Sequence, residues 1–485
     1  MMVNIYSYSS KYFEDDDSIV TKTRTNRTSL PTRPSLETVI RLPMPVGHME
    51  RYDLVYQLYD EYDTKTLREF QEFVDVFPAV DSRVALEHWQ EATEELEERK
   101  DEIRSSFAAG ETFAEIAARA TRDQAFTALD LEAKYGRAVN VLVLDVDETL
   151  RSAGGTDNEI PRDTLHMLTE FYDAGVPIVI CTGQTLENVK GFAIQGLGSE
   201  IVHSGSLSIV YEAGTGVFTP GHGAQTKQLL YEDLEESIRT VFDDVRSRVL
   251  PEAPEDLRRG CHLQGNEFNV TMKPNYETGS ADAREIIDEA LVYLIDLLAD
   301  AVGTTLEADG SDAGATDSGT TGGDANGETE LAGETVADWT RAFYAAQDPE
   351  IRAVLEGEGA YPALDAADVP DSLAAVLDRI DVAYYEADAA EIGSLELNKV
   401  VGVERALDVL GVADPFALVM GDSKSDLRVM EWAADNDAGI AAAPEHASQD
   451  TLEHVLETDE LVFDRGKSVD VLQTAYALNR LARLG

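Results

Sequence analysis

Two aspartates one residue apart, Asp145 and Asp147, follow directly on the apolar run Val141-Leu142-Val143-Leu144. Carboxylates gathered where a buried strand ends are penalised by desolvation and by one another, so they call for a cation or a substrate to balance them. Three later stretches carry groups that suit the same purpose. Thr182-Gly183 follows Ile178-Val179-Ile180-Cys181 and offers an anion a hydroxyl and bare backbone N–H groups. Lys399, in a chain with few lysines, opens the helical stretch Lys399-Val400-Val401-Gly402-Val403. Gly421-Asp422-Ser423-Lys424-Ser425-Asp426 follows the apolar run Phe416–Met420 and adds two more carboxylates. On adjacent strand ends the four aspartates would repel one another strongly in a partly dry cleft, and a metal cation with Lys399 would supply the counter-charge.

The elements that must position these groups alternate between strands and helices. Short aliphatic runs rich in β-branched residues suit strands buried on both faces of a parallel sheet, whose C-terminal ends are where ligands bind. The fold expected is therefore α/β, a Rossmann-like parallel sheet with helices on both faces, divided into core segments 139–204 and 391–485. Asp145 and Thr182 are separated by one βα unit, with a helix from Pro161 to Gly175, so any cover over the site must come later. Residues 205–390 have room for it as an inserted α/β cap, with strand-like Leu207–Glu212, Glu267–Lys273 and Ala383–Glu386 and helical Tyr231–Val249, Ala283–Ala301 and Val336–Gly357. Phe268, Val270 and Met272 alternate with Asn269, Thr271 and Lys273, and the polar face of that strand is expected to be a solvated cap surface. Within the cap, residues 307–334 are built almost wholly of Gly, Ala, Asp, Thr, Ser and Glu, which bury too little apolar surface to offset chain entropy, and a disordered insert is expected. Residues 49–138 carry apolar positions at helical spacing and read as a helical region without chemistry of its own. Residues 1–48 read as a disordered tail, or as upstream sequence translated only on paper with the start near Met49.

Taken together, Asp145-x-Asp147-x-Thr149, Thr182-Gly183, Lys399 and Gly421-Asp422-x-x-x-Asp426 resemble, in order, the four motifs of the haloacid dehalogenase-like superfamily. The cap's place after the second motif resembles class II members. The resemblance covers roughly residues 139–485 and implies a Mg²⁺-dependent phosphatase acting on a small phosphate monoester, of the sugar phosphate or phosphoglycolate class. It implies Asp145 as nucleophile, Asp147 as general acid and base, and Thr182, Gly183 and Lys399 as holders of the phosphoryl group. Asp145, Asp422 and the Asp147 carbonyl would take the metal, with Asp426 orienting Lys399 or the metal's waters. Ser425 stands where the family's asparagine is usual, and Glu148 where class II enzymes commonly have glycine. A phosphotransferase or phosphomutase with the same nucleophile, and a non-catalytic binding protein on the same fold, are the alternatives.

The composition narrows the setting. A formal net charge of -54, from 93 acidic and 39 basic residues, disfavours binding to nucleic acid or anionic membranes. No apolar run approaches the roughly 20 residues that span a bilayer, and the N-terminus lacks a signal layout, so a soluble, cytoplasmic protein is expected. Cys181 and Cys261 lie in no metal or redox spacing and are expected to be small buried residues. The acid-rich, lysine-poor balance resembles proteins of salt-accumulating halophiles, where screening shortens to about 3 Å at 1 M salt. Folding and activity are accordingly expected to need molar salt. Circular dichroism and turnover during dialysis into dilute buffer check this, and full activity at low salt would contradict it.

Overall fold

The computed structural model describes residues 48–76, 83–151, 159–275, 278–312, 335–364 and 366–484. The expected tail up to residue 47, and 313–334 of the expected insert, lie outside the described residues. The strands in chain order are β1 (Val141–Leu144), β2 (Ile178–Cys181), β3 (Leu207–Tyr211), β4 (Gly216–Phe218), β5 (Gln228–Leu229), β6 (Cys261–Asn266), β7 (Asn269–Pro274), β8 (Ile380–Tyr385), β9 (Ala389–Ser394), β10 (Ala417–Met420), β11 (Gly439–Pro444) and β12 (Leu461–Phe463). Eight form one sheet in the order β12-β11-β10-β1-β2-β3-β4-β5, and four form a second in the order β6-β7-β9-β8. Neighbours from β12 to β3 are parallel. The last two strands of the large sheet are antiparallel.

β1 lies between β10 and β2, with Leu144 level with both Met420 and Ile180. The residues after these three strands therefore emerge side by side. Because side chains alternate across a strand, each apolar run feeds two cores. Leu142, Leu144, Ile178, Ile180, Leu418 and Met420 face one, together with Phe113, Ile116 and Leu129 of the N-terminal helices. Val141, Val143, Val179, Cys181, Ala417 and Val419 face the other, which continues through Val403 and Ala406 into the insertion. Each fully buried aliphatic side chain contributes roughly 1.5–3 kcal/mol, so the strands that end at the aspartates are among the most firmly held parts of the chain.

Three features differ from those expected. Leu207–Tyr211 pairs in parallel with β2 and belongs to the core sheet, so the cap begins after β5. The stretch Val336–Gly357 is two helices, Val336–Gln347 and Pro349–Gly357. The break has a local cause: Pro349 biases Asp348 to extended backbone, and the Asp348 side chain caps the second helix by accepting the Glu350 N–H at 2.7 Å. The helix Ser280–Asp312 runs six residues into the stretch expected as a loop.

The helical region is His48–Glu61, Thr64–Val76, Arg83–Ser106, Gly110–Arg119 and Arg122–Tyr135. It is joined to the core by part-buried ion pairs as well as by apolar contact. Arg119 lies 2.5 Å from Glu115 and 3.0 Å from Glu170 of the helix Arg162–Asp173, and Lys100 lies 2.9 Å from Glu115. His166 Nε2 lies 3.0 Å from Asp75 and 3.5 Å from Glu170. Burial opposes the charge on His166, but Asp75 and Glu170 outweigh it and raise its pKa to about 9. A raised folded-state pKa means stability that is complete below the ordinary value near 6.5 and lost as pH rises through about 9. The denaturant midpoint is therefore expected to fall between pH 7 and pH 10, and His166→Gln to be less stable at pH 7 with a flatter profile. Parallel profiles for the two proteins would contradict this.

Candidate active site

Asp145 is the first residue beyond β1, and its backbone N–H donates to Met420 O at 2.9 Å, which continues the parallel ladder. Its side chain is largely buried. Lys399 Nζ lies 2.8 Å from Asp145 Oδ1 and 2.6 Å from Asp426 Oδ1, with all three side chains at most 6% exposed. Lys399 is the first residue of the helix Lys399–Leu410, capped by Asn398, whose Oδ1 accepts the Val401 N–H at 3.1 Å. A cation at a helix N-terminus meets an unfavourable dipole, so the two carboxylates must hold it there. They raise the Lys399 pKa despite burial, which alone would lower it.

Asp426 has a second duty. Its Oδ2 accepts from Ser423 N at 3.1 Å and Ser423 Oγ at 2.6 Å, a reciprocal cap for the helix Lys424–Asp435. Gly421 makes this fit, since a Cβ there would lie 2.2 Å from Asp426 Cβ. One oxygen of Asp426 is thus committed to Lys399 and the other to Ser423. Carboxylate oxygens of Asp145, Asp422 and Asp426 lie within 4.8 Å of one another. Burial, followed by the neighbouring Asp426, pushes the Asp422 pKa up to about 7. Burial likewise raises Asp145, with Lys399 opposing and Asp426 and Asp422 reinforcing. When all three are ionised, the carboxylates against one ammonium leave two negative charges uncompensated, and a hard divalent cation such as Mg²⁺ fits that deficit and that all-oxygen donor set.

Asp147 stands apart from the cluster. Its side chain is half exposed and takes hydrogen bonds from Arg151 Nη2 at 2.7 Å and Gln184 Nε2 at 2.6 Å. Glu148, next in the chain, adopts φ +57°, the left-handed region that glycine occupies without strain. Its carboxylate lies 3.2 Å from His446 Nε2 and 3.7 Å from Arg465 Nη2. Thr182 is fully buried beneath the site, its Oγ1 accepting the Gln184 N–H at 3.2 Å. Gly183 reaches the surface of the cleft that Thr182 does not.

That cleft, of about 550 Å³, lies between the core strand ends and the cap sheet. Asp145, Asp147, Gly183, Lys399 and Asp422 line one side, while Asn269, Thr271, Lys273, Tyr385 and Glu391 line the other. The polar face of β7, expected as a solvated cap surface, is thus a wall of the cleft, while Val270 and Met272 are fully buried behind it. Periodicity reveals which face of a strand is polar, not what stands opposite. Glu391 and Tyr385 carried no such signal, because neither belongs to a motif. Between them and the core, Arg428 pairs with Asp381 of β8, and Lys424 lies 3.6 Å from Glu350 and 5.6 Å from the Tyr385 ring. Lys424 therefore bridges core and cap rather than only offsetting its neighbouring acids.

No protein-family model matches the sequence, and no curated protein does. The fold is similar to solved structures of a haloacid dehalogenase subclass IIB sugar phosphatase (14% identity, 69% of this chain and 96% of that one, TM-score 0.35). It is also similar to a haloacid dehalogenase-like hydrolase from Bacteroides thetaiotaomicron (12%, 70% and 98%, 0.33) and one from B. subtilis (13%, 69% and 98%, 0.34).

Replacing Lys399 by Met leaves Asp145 and Asp426 facing each other without their ammonium. Removing one partner of a buried ion pair costs roughly 3–5 kcal/mol, so Lys399→Met should lower the denaturant midpoint strongly at pH 7. The deficit should shrink towards pH 5, where the carboxyls can take up protons. A loss that does not change with pH would show that packing, not charge, is what Lys399 supplies.

Proposed function

We propose that this chain is a Mg²⁺-dependent phosphatase that hydrolyses a small phosphate monoester through an aspartyl-phosphate on Asp145. The observation that carries this reading is the buried Asp145 carboxylate at the cleft surface, held by Lys399 and grouped with Asp422 and Asp426. Asp145 and Asp422 are the residues for the metal, since both line the cleft, whereas Asp426 does not and already serves Lys399 and Ser423. When bound there, Mg²⁺ supplies charge neutralisation that lets an anionic ester approach anionic carboxylates.

Asp145 attacks phosphorus in line, forming the acyl phosphate as the bond from phosphorus to the leaving oxygen breaks. Asp147, held by Arg151 and Gln184, donates its proton to that oxygen, then takes a proton from the water that attacks the phosphoenzyme. Inorganic phosphate leaves and Asp145 is restored. Lys399 keeps the nucleophile fixed in one orientation, and the Gly183 N–H is a donor for a phosphoryl oxygen. With so acidic a chain, the partner proposed is a small phosphorylated molecule in preference to nucleic acid or an anionic membrane surface; no helix among the described residues is long and apolar enough to cross a membrane.

Asp145→Asn should abolish both hydrolysis and covalent labelling by the substrate phosphate. Asp147→Asn keeps the nucleophile, so turnover should fall by roughly 10²–10⁴-fold. With a good leaving group it should accumulate phosphoenzyme that rapid quench with borohydride detects. Substantial Mg²⁺-dependent hydrolysis by Asp145→Asn would overturn the aspartyl-phosphate mechanism.

A further inference from the structure

With Glu391 ionised, the cap wall carries a hydrogen-bonding group that is one proton short. β7 and β9 are antiparallel, with Thr271 opposite Glu391 and Asn269 opposite Gly393, which places Asn269, Thr271 and Glu391 on the same face. Asn269 Nδ2 donates to Glu391 Oε1 at 2.7 Å. Thr271 Oγ1 lies 2.8 Å from Glu391 Oε2 and 2.7 Å from Asn269 Oδ1. A threonine hydroxyl has one proton, so it serves one of these two acceptors and leaves the other wanting a donor. Asn269 also has a second N–H beyond the one given to Glu391. The trio therefore offers one acceptor and one donor to whatever fills the cleft. A hydroxyl group both donates and accepts and satisfies both, whereas an ammonium only donates and a carboxylate only accepts.

The charges on the walls disfavour a carboxylate on the substrate. Besides the aspartates of the candidate catalytic site, Glu148, Glu212, Asp388 and Glu391 line the cleft, against Lys273 and Lys399. Lys399 is held by Asp145 and Asp426, and Lys273 lies 3.2 Å from Asp388. Among the lining residues no lysine is left to receive a second anion on the substrate.

We propose that Glu391, with Asn269 and Thr271, anchors hydroxyl groups at the non-phosphate end of the substrate, so that the cleft selects phosphate esters of neutral polyols and sugars over esters bearing a carboxylate or an amine. This role is one of specificity and rests on the phosphatase reading of the core face.

The test measures kcat and KM in molar salt with Mg²⁺ for p-nitrophenyl phosphate, glucose 6-phosphate, phosphoglycolate and phosphoethanolamine. Wild-type protein should favour glucose 6-phosphate over phosphoglycolate and phosphoethanolamine by about tenfold or more in kcat/KM. Glu391→Gln should lower the ratio of glucose 6-phosphate to p-nitrophenyl phosphate by roughly tenfold or more, the worth of a hydrogen bond to a charged group. The change should lie mainly in KM. Thr271→Val should act in the same direction and serves in its place if circular dichroism shows Glu391→Gln to be unfolded. A preference for phosphoglycolate or phosphoethanolamine, or an equal loss on every substrate, would overturn the assignment. If none of the four esters is hydrolysed, the phosphatase reading fails on its own. Calorimetric binding of glucose 6-phosphate and phosphoglycolate to Asp145→Asn protein then decides the role of Glu391: tighter binding of the sugar ester, weakened by adding Glu391→Gln, supports it, and equal or reversed affinities refute it.

Discussion

The contact between Lys399 and the two carboxylates of Asp145 and Asp426 is the constraint around which the rest of the site is arranged. Three ionisable groups this deeply buried are tolerable only in each other's company, because each alone would face the full cost of leaving water. The ammonium is brought there by the helix Lys399–Leu410, on the far side of the insertion from β1. One carboxylate, Asp145, arrives at the end of β1, and the other, Asp426, in the first turn of the helix that follows β10. Closing this contact therefore ties the start of the core to its end, and the cap is held between them. Asp422 adds a third carboxylate within 4.8 Å of these two, so the contact is part of a larger acidic cluster and not a salt bridge alone.

Several local departures from relaxed geometry surround that contact. Gly421 lets Asp426 fold back over its own turn, and Gly214, at φ +99°, lets the turn after β3 pass so close to Asn398 that a Cβ would lie 2.0 Å from its carbonyl oxygen. Glu212 and Ala213 in the same turn, at φ +50° and +55°, and Glu148, three residues after Asp145, at +57°, hold left-handed backbone without being glycine. Such conformations cost of order 1 kcal/mol or more each and persist where the surroundings dictate them. Here they sit between the core strands and the entrance to the cap. The seam is further fixed by Arg428 with Asp381 and Lys424 with Glu350, two of the chain's few basic residues placed where core and cap meet.

The two walls of the cleft differ in how they are built. The core wall depends on parallel strands ending level with one another, so groups far apart in sequence become neighbours. The cap wall depends on antiparallel register, in which a slip of one residue would exchange Asn269 and Thr271 for Val270 and Met272. The buried apolar partners of β7 make that slip costly, and in this way the hydrophobic core of the cap fixes the polar surface that lines the cleft.

Much of the core wall was legible from residue types alone. Aliphatic runs broken by Asp145, Thr182 and Asp422 mark buried strands whose ends carry polar groups, and strand and helix periods place Lys399 at a helix start. These are short-range signals, carried by neighbouring residues and by the cost of burying polar side chains. What lay beyond them depended on pairing between distant segments. That Leu207–Tyr211 joins the core sheet, and that Asn269 and Thr271 face the aspartates with Glu391 beside them, are consequences of which strands pair and in what register. Alternation along β7 announces one apolar and one polar face, but whether the polar face meets solvent or a cleft is decided by what the tertiary structure sets opposite it, because a strand's own sequence records its burial and not its neighbour.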